Sequence, residues 1–172
     1  MGTSAPTTRR WLAELVDVGV THIVDARIEW DDDRFVAAHA PGVACLHHGM
    51  DDAGQEVPEE WFDVAVGWAV PAIADGGVVL THCHMGINRG PSLGFAVLLA
   101  LGWAPVEAMA AIRAARPIAY AAYAEDALRW HHWRSAVGPR RRAAEVAELD
   151  AWRRENPMDV RRAIRAAAGG VA

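Results

Sequence analysis

The sequence predicts an α/β fold with a central, mostly parallel sheet flanked by helices. Short β-branched apolar runs at residues 20–26, 43–48 and 78–81 alternate with longer segments whose apolar residues recur at helical spacing. The last of these runs ends in a short loop that leads straight into an apolar helix, as strands of a parallel sheet do. With 172 residues and 52% hydrophobic content, the chain can bury one core.

The elements follow in order. Residues 8–18 place Trp11, Leu12, Leu15 and Val16 on one helical face, with Gly19 as the stop. Residues 20–26 form the first strand, followed by an acidic stretch, Trp30 to Asp33, that is expected to be a solvated loop, with Asp31, Asp32 and Asp33 read as surface charges and not as a cation site. Pro41-Gly42 turns the chain into a second strand at 43–48, which delivers Gly49, Met50, Asp51 and Asp52 to a loop. A helix begins near Pro58 with Glu59 and Glu60 in its first turn, where the helix dipole favours them. Its Trp61, Ala65, Trp68 and Ala72 face the core, and Pro71 is expected to kink or end it. Gly76-Gly77 turns into the third strand, and residues 92–101, apolar all round, make a buried central helix. Pro105 opens another helix that ends at Arg116-Pro117. Residues 120–137 read as a longer helix with Tyr123, Ala127, Trp130 and Trp133 inward and His131-His132 at the surface. Gly138-Pro139 and Arg140 to Arg142 read as a linker, and Asn156-Pro157 as the cap of a last short helix. The boundaries are therefore a body at 1–137 and a basic helical extension at 138–172.

Charge follows that division. The body holds 9 arginines against 17 acids and the extension 8 against 5, within a net charge of −5. An acidic body repels polyanions, so neither nucleic acid nor a clustered phosphoinositide head group is expected as a ligand. No stretch is long and apolar enough for a membrane span, and residues 1–11 carry no leader-like apolar run. With only two cysteines, Cys45 and Cys83, a cytoplasmic protein is expected.

The chemistry concentrates in residues 78–92, VVLTHCHMGINRGPS. Cys83 ends a buried strand and is followed by five loop residues, His84, Met85, Gly86, Ile87 and Asn88, and then by Arg89 at a helix start. Backbone N–H groups of such a loop and the helix dipole converge on the sulfur and favour a thiolate there. The same groups can cradle phosphoryl oxygens, and a guanidinium can take two oxygens in a fork.

His82-Cys83, five residues and Arg89, with Gly86 inside, resembles the signature loop of cysteine-dependent protein phosphatases, specifically the dual-specificity branch. The resemblance extends over about residues 8–137. It implies a dual-specificity phosphatase-like fold, Cys83 as nucleophile and Arg89 with the backbone of 84–89 as phosphate site. It also implies His82 as a support for the cysteine, and an upstream aspartate as acid. Asp52 and Asp51 lie 31 and 32 residues before Cys83, and aligning Cys45-Leu46-His47 with the family's second strand favours Asp52. Substrates would be phosphorylated proteins or small phosphomonoesters, with no cofactor and no metal. Gly90 departs from the family, which has a Ser or Thr hydroxyl there to assist the leaving thiolate. A slow second chemical step is expected, and a gain from Gly90→Ser.

Rival readings follow from other residues. His82, His84, His47, His48 and Asp51 could surround a metal. Arg89-Gly90-Pro91, Asp25-Ala26-Arg27 and His39 to Gly42 resemble pieces of rhodanese-type phosphatases and sulfurtransferases. A phosphate-reading module with little turnover is the third, motivated by Gly90. Cys45 reads as a small buried hydrophobe and not as a disulfide partner for Cys83.

Overall fold

The computed structural model describes residues 8–168; the expectation for the first residues lies mostly outside that range. The helices are α1 (Arg9–Asp17), α2 (Asp33–His39), α3 (Glu59–Ala74), α4 (Arg89–Ala100), α5 (Pro105–Ala115), α6 (Ala124–Arg134), α7 (Pro139–Glu155) and α8 (Val160–Ala168). The strands β1 (His22–Arg27), β2 (Ala44–Met50) and β3 (Val79–His82) form one parallel sheet in the order β2-β1-β3. None of the described helices is long and apolar enough to cross a membrane.

Strand alternation divides the interior. Ile23, Cys45 and Leu80 face a smaller core closed by Trp11, Leu12 and Leu15 of α1 and Val36 of α2. Val24, Ala26, Leu46 and Val79 face a larger core filled from α3 to α7. The central strand β1 is thus covered on both sides, as parallel strands require. Helix α4 runs through the larger core, with Leu93, Phe95, Ala96, Val97 and Leu99 buried. All three strands end at the same edge, so the loops after β1, β2 and β3 share one crevice.

Several expectations need correction. The acidic stretch does not stay solvated: Asp33 starts α2, and Asp32 is buried in an ion pair with the fully buried Arg27, which also holds Asp25 at 2.7 Å. Helix α3 continues through Pro71 to Ala74. Helix α6 starts only at Ala124, because the amides of Tyr120 and Ala121 are committed to the Ile87 carbonyl at 2.8 and 2.9 Å. Trp133 points outward, whereas His132 is buried and bonds Glu145 at 2.7 Å. The residues read as a linker are the first turn of α7, with Pro139 in its first positions and Leu149 inside the larger core. Asn156 ends α7, and Asp159 caps α8 by accepting from the Arg162 amide at 2.9 Å.

Leu149 makes α7 a part of the body's packing, being 1% exposed. Leu149→Ala is expected to lower unfolding free energy by about 2–5 kcal/mol in one cooperative transition, read by chemical denaturation. An unchanged midpoint would mean that α7 adds nothing to the core.

Candidate active site

Cys83 follows β3 directly and is 2% exposed, at the floor of a cavity of about 160 Å³. The cavity is lined by Glu29, Asp52, Cys83, His84, Met85, Ile87, Asn88, Arg89 and Ile164. Residues 84–88 make the loop, and Gly86 takes φ +65°, the left-handed region that glycine enters without strain.

Donors from the segment after α5 fix the outer side of this loop. Arg116 donates to the carbonyls of Met85 at 3.0 Å and Gly86 at 3.3 Å, and the Tyr120 and Ala121 amides take that of Ile87. A trans peptide is planar, with its C=O and N–H opposed. Holding these carbonyls outward therefore turns the following N–H groups, those of Gly86, Ile87 and Asn88, toward the cysteine side. The start of α4 adds N–H groups that have no acceptor within the helix, and the Asn88 side chain does not cap them. The result is a cradle for an anion.

Arg89 is 2% exposed and its guanidinium is placed from three directions. Nη1 and Nη2 donate to the two carboxylate oxygens of Glu29 at 2.9 and 2.8 Å, and Nη1 also donates to the Met50 carbonyl at 2.9 Å. The hydrogen bonds from Arg89 hold the Glu29 carboxyl down at about 2. Nε is buried without a hydrogen-bond partner among the described residues, 3.7 Å from an Asp52 oxygen. The Nε–Nη2 edge is therefore the edge that remains for a phosphoryl group.

Of the two candidate carboxylates, Asp52 lines the cavity. Its Oδ1 accepts from Tyr123 Oη at 2.8 Å, and Asn88 Nδ2 approaches its oxygens at 3.3 and 3.4 Å. The Tyr123 hydroxyl in turn accepts from the Gly54 amide at 3.2 Å, and burial, followed by the Asp52 bond, pushes it up to about 12. Asp51 is exposed and spends its carboxylate on the Asp52 amide, at 2.8 Å, shaping the turn.

Human DUSP28 is similar in structure, with TM-score 0.65 and 21% identity over 80% of this chain and 100% of that chain. PTPMT1 in complex with PI(5)P gives 0.67 and 21% over 77% and 90%, and Tk-PTP in its active form 0.55 and 22% over 86% and 88%. The fold is that of the dual-specificity phosphatases. No protein-family model and no curated protein matches the sequence.

Within the dual-specificity phosphatase fold, other singled-out residues take particular places. By alternation along β3, His82 shares the side of Leu80: its ring packs on Trp11, and Nε2 lies 3.5 Å from Asp25. Burial pushes His82 down to about 4, so it is neutral near pH 7. His84 stacks on Trp30 with centroids 5.2 Å apart. A Cβ on Gly90 would lie 2.9 Å from His82 Cα and 3.1 Å from Cys83 N, so Gly90→Ser would shift the backbone of His82 and Cys83 as well as adding a hydroxyl. Ser92, two residues further on, is buried, and its Oγ accepts from the Tyr123 amide at 3.1 Å.

Cys45 is half-buried on β2, with β1 lying between it and β3. Two strand spacings are about 9–10 Å, beyond the roughly 7 Å that a disulfide spans. Burial pushes the Cys45 thiol up to about 12. The histidines of the metal reading are dispersed: His47 bonds the Arg27 carbonyl, His48 that of Trp61, and the described residues contain no group of three or more ligands. The rhodanese-like pieces have other roles, Asp25 and Arg27 as the buried ion pair and His39 as the end of α2.

Sequence reasoning missed Glu29, Arg116 and Tyr123 as parts of the site. For Glu29 a signal existed, an acidic residue just past the end of the strand that neighbours β3; the other two are recruited from 31 and 71 residues away by the fold.

His82 gives a pH test. Its folded value of about 4 lies below the ordinary 6.5, so the unfolded chain binds a proton that the folded chain refuses. Stability is then full above about 6.5 and falls as pH drops toward 4. His82→Gln is expected to flatten that slope in denaturant titrations run across the window, whatever its effect on absolute stability. An unaltered slope would mean that His82 titrates normally.

Proposed function

We propose that the chain hydrolyses phosphomonoesters through a cysteinyl-phosphate, with protein phosphotyrosine as the first substrate class and phosphoserine or phosphothreonine next. The convergence of Cys83, Arg89 and Asp52 on one cavity carries this reading. Cys83 Sγ attacks phosphorus as the bond to the leaving oxygen breaks, and Asp52 gives that oxygen its proton. Backbone N–H groups of 84–89 and the Nε–Nη2 edge of Arg89 receive the other phosphoryl oxygens. Asp52, now a carboxylate, then takes a proton from water as the water oxygen attacks phosphorus. The S–P bond breaks, its electrons return to sulfur, and inorganic phosphate leaves. His82 is a neutral support in this scheme.

The cavity of about 160 Å³ is below the roughly 300–1,000 Å³ of ordinary ligand pockets, which suits a phosphoryl group and the nearest part of its leaving group. Glu29 and Asp52 in its wall and the absence of lysine from the chain disfavour head groups with several phosphates. Two free cysteines suit a reducing compartment, and we assign the protein to the cytoplasm. Gly90 favours a second reading, phosphate-ester binding with little turnover.

Cys83→Ser is expected to abolish both the hydrolysis of an aryl phosphate and the phosphoryl adduct that mass spectrometry finds on Cys83 of the wild type, while EDTA leaves wild-type turnover unchanged. Full activity in the serine variant sinks the mechanism; binding without turnover in the wild type selects the second reading.

Asp52→Asn is expected to slow esters with poor leaving groups about 10²- to 10⁴-fold, and those with good leaving groups much less. Asp51→Asn should show no such dependence. The reverse pattern would transfer the acid role to Asp51.

A further inference from the structure

Eight of the nine residues around the cavity come from the three strand-end loops and the start of α4, and the ninth, Ile164, comes from α8. Ile164 is 42% exposed, an apolar side chain at the site that the core does not absorb. We propose that Ile164 is a specificity-determining residue, forming an apolar wall against the leaving group so that aryl phosphates are preferred over short alkyl phosphates. This rests on the phosphatase reading and names a side chain that would set its preference among esters.

The root of α8 is held so that the wall is in place before substrate arrives. Arg113 of α5 donates to the Asn156 carbonyl at 2.5 Å, and its guanidinium lies over the Trp152 ring at 4.9 Å. Pro157 follows, and Asp159 caps the helix. Ala163 is the buried residue of α8, and beside it lies a cleft of about 320 Å³ lined from the other side by Arg113, Pro117 and Ile118. The helix therefore touches the body along one narrow strip. Helical spacing puts Arg161, three residues before Ile164, beside its face, and Asp159 is the acid nearest to it in sequence. A cation at Arg161 counters, at longer range, the charge of Glu29 and Asp52 in the cavity wall, which would otherwise repel an arriving phosphate dianion.

A phenyl ring leaving the phosphoryl group offers an apolar face that can cover the exposed part of Ile164, whereas an ethyl group is too short to do so. Covering about two-fifths of an isoleucine corresponds to about a three- to eightfold preference.

The test measures kcat/KM of the full chain for phenyl phosphate and ethyl phosphate, in wild type, Ile164→Ser and Ile164→Leu, with melting temperatures alongside. Expected is a fall of about three- to eightfold for phenyl phosphate in Ile164→Ser, little change for ethyl phosphate, and recovery in Ile164→Leu. The phenyl-to-ethyl ratio unchanged in Ile164→Ser overturns the inference and leaves the phosphatase reading standing. Equal loss on both esters together with a lowered melting temperature marks a structural role and also overturns it. No hydrolysis of either ester by the wild type, with no adduct on Cys83, overturns both readings.

Discussion

A buried guanidinium needs partners to hold it, and at Arg89 the partners on one edge set the geometry of the site while the Nε edge stays open. The cation is taken out of water at the start of α4, where the helix dipole already presents positive charge. Glu29 supplies both carboxylate oxygens from beyond β1, and Met50 supplies a carbonyl at the end of β2. One side chain thus ties together the ends of two strands and the helix that follows the third. Glu29 holds the far end of the fork, so the Nε edge is left toward Asp52 and the cavity. Glu29 has 38% side-chain exposure, so solvent screens the pair and its main contribution is orientation.

A second buried cation lies behind the first. Arg27 ends β1, with Asp25 and Asp32 as its anions, and its guanidinium also lies 5.6 Å from the centroid of Trp30. Trp30 stacks in turn on His84 of the loop, so the network reaches the rim of the cavity. It also explains why an acidic stretch in sequence is not an acidic surface. Asp32 is drawn inward by a partner five residues earlier, and the chain folds over it into α2.

What was legible in the sequence was whatever depends on neighbours along the chain. Periodicity marked the three strands and most helices, and Cys83, Gly86 and Arg89 lie within one contiguous run. What was not legible depends on partners that only tertiary structure supplies. His132 read as a surface residue because Glu145, which satisfies it, belongs to a later helix. Residues 120–123 looked helical, yet Ala121 takes φ +53° and the amides of Tyr120 and Ala121 bond the loop after Cys83 instead of a helix. Residues 138–142 looked like a linker because the contact that matters, Leu149, comes two turns further on.

The same reasoning accounts for Gly90. Helix α4 must start close to the end of β3 if its N–H groups and dipole are to act on Cys83. Thr81 holds that approach by donating to the Gly90 carbonyl at 2.9 Å. At this distance a β-carbon at position 90 would press on the backbone of His82 and Cys83, and only glycine fits. The chain has close helix–strand packing where a side chain would stand, and the groups nearest Cys83 are the loop amides, whose directions Arg116 and the 120–121 amides fix from outside.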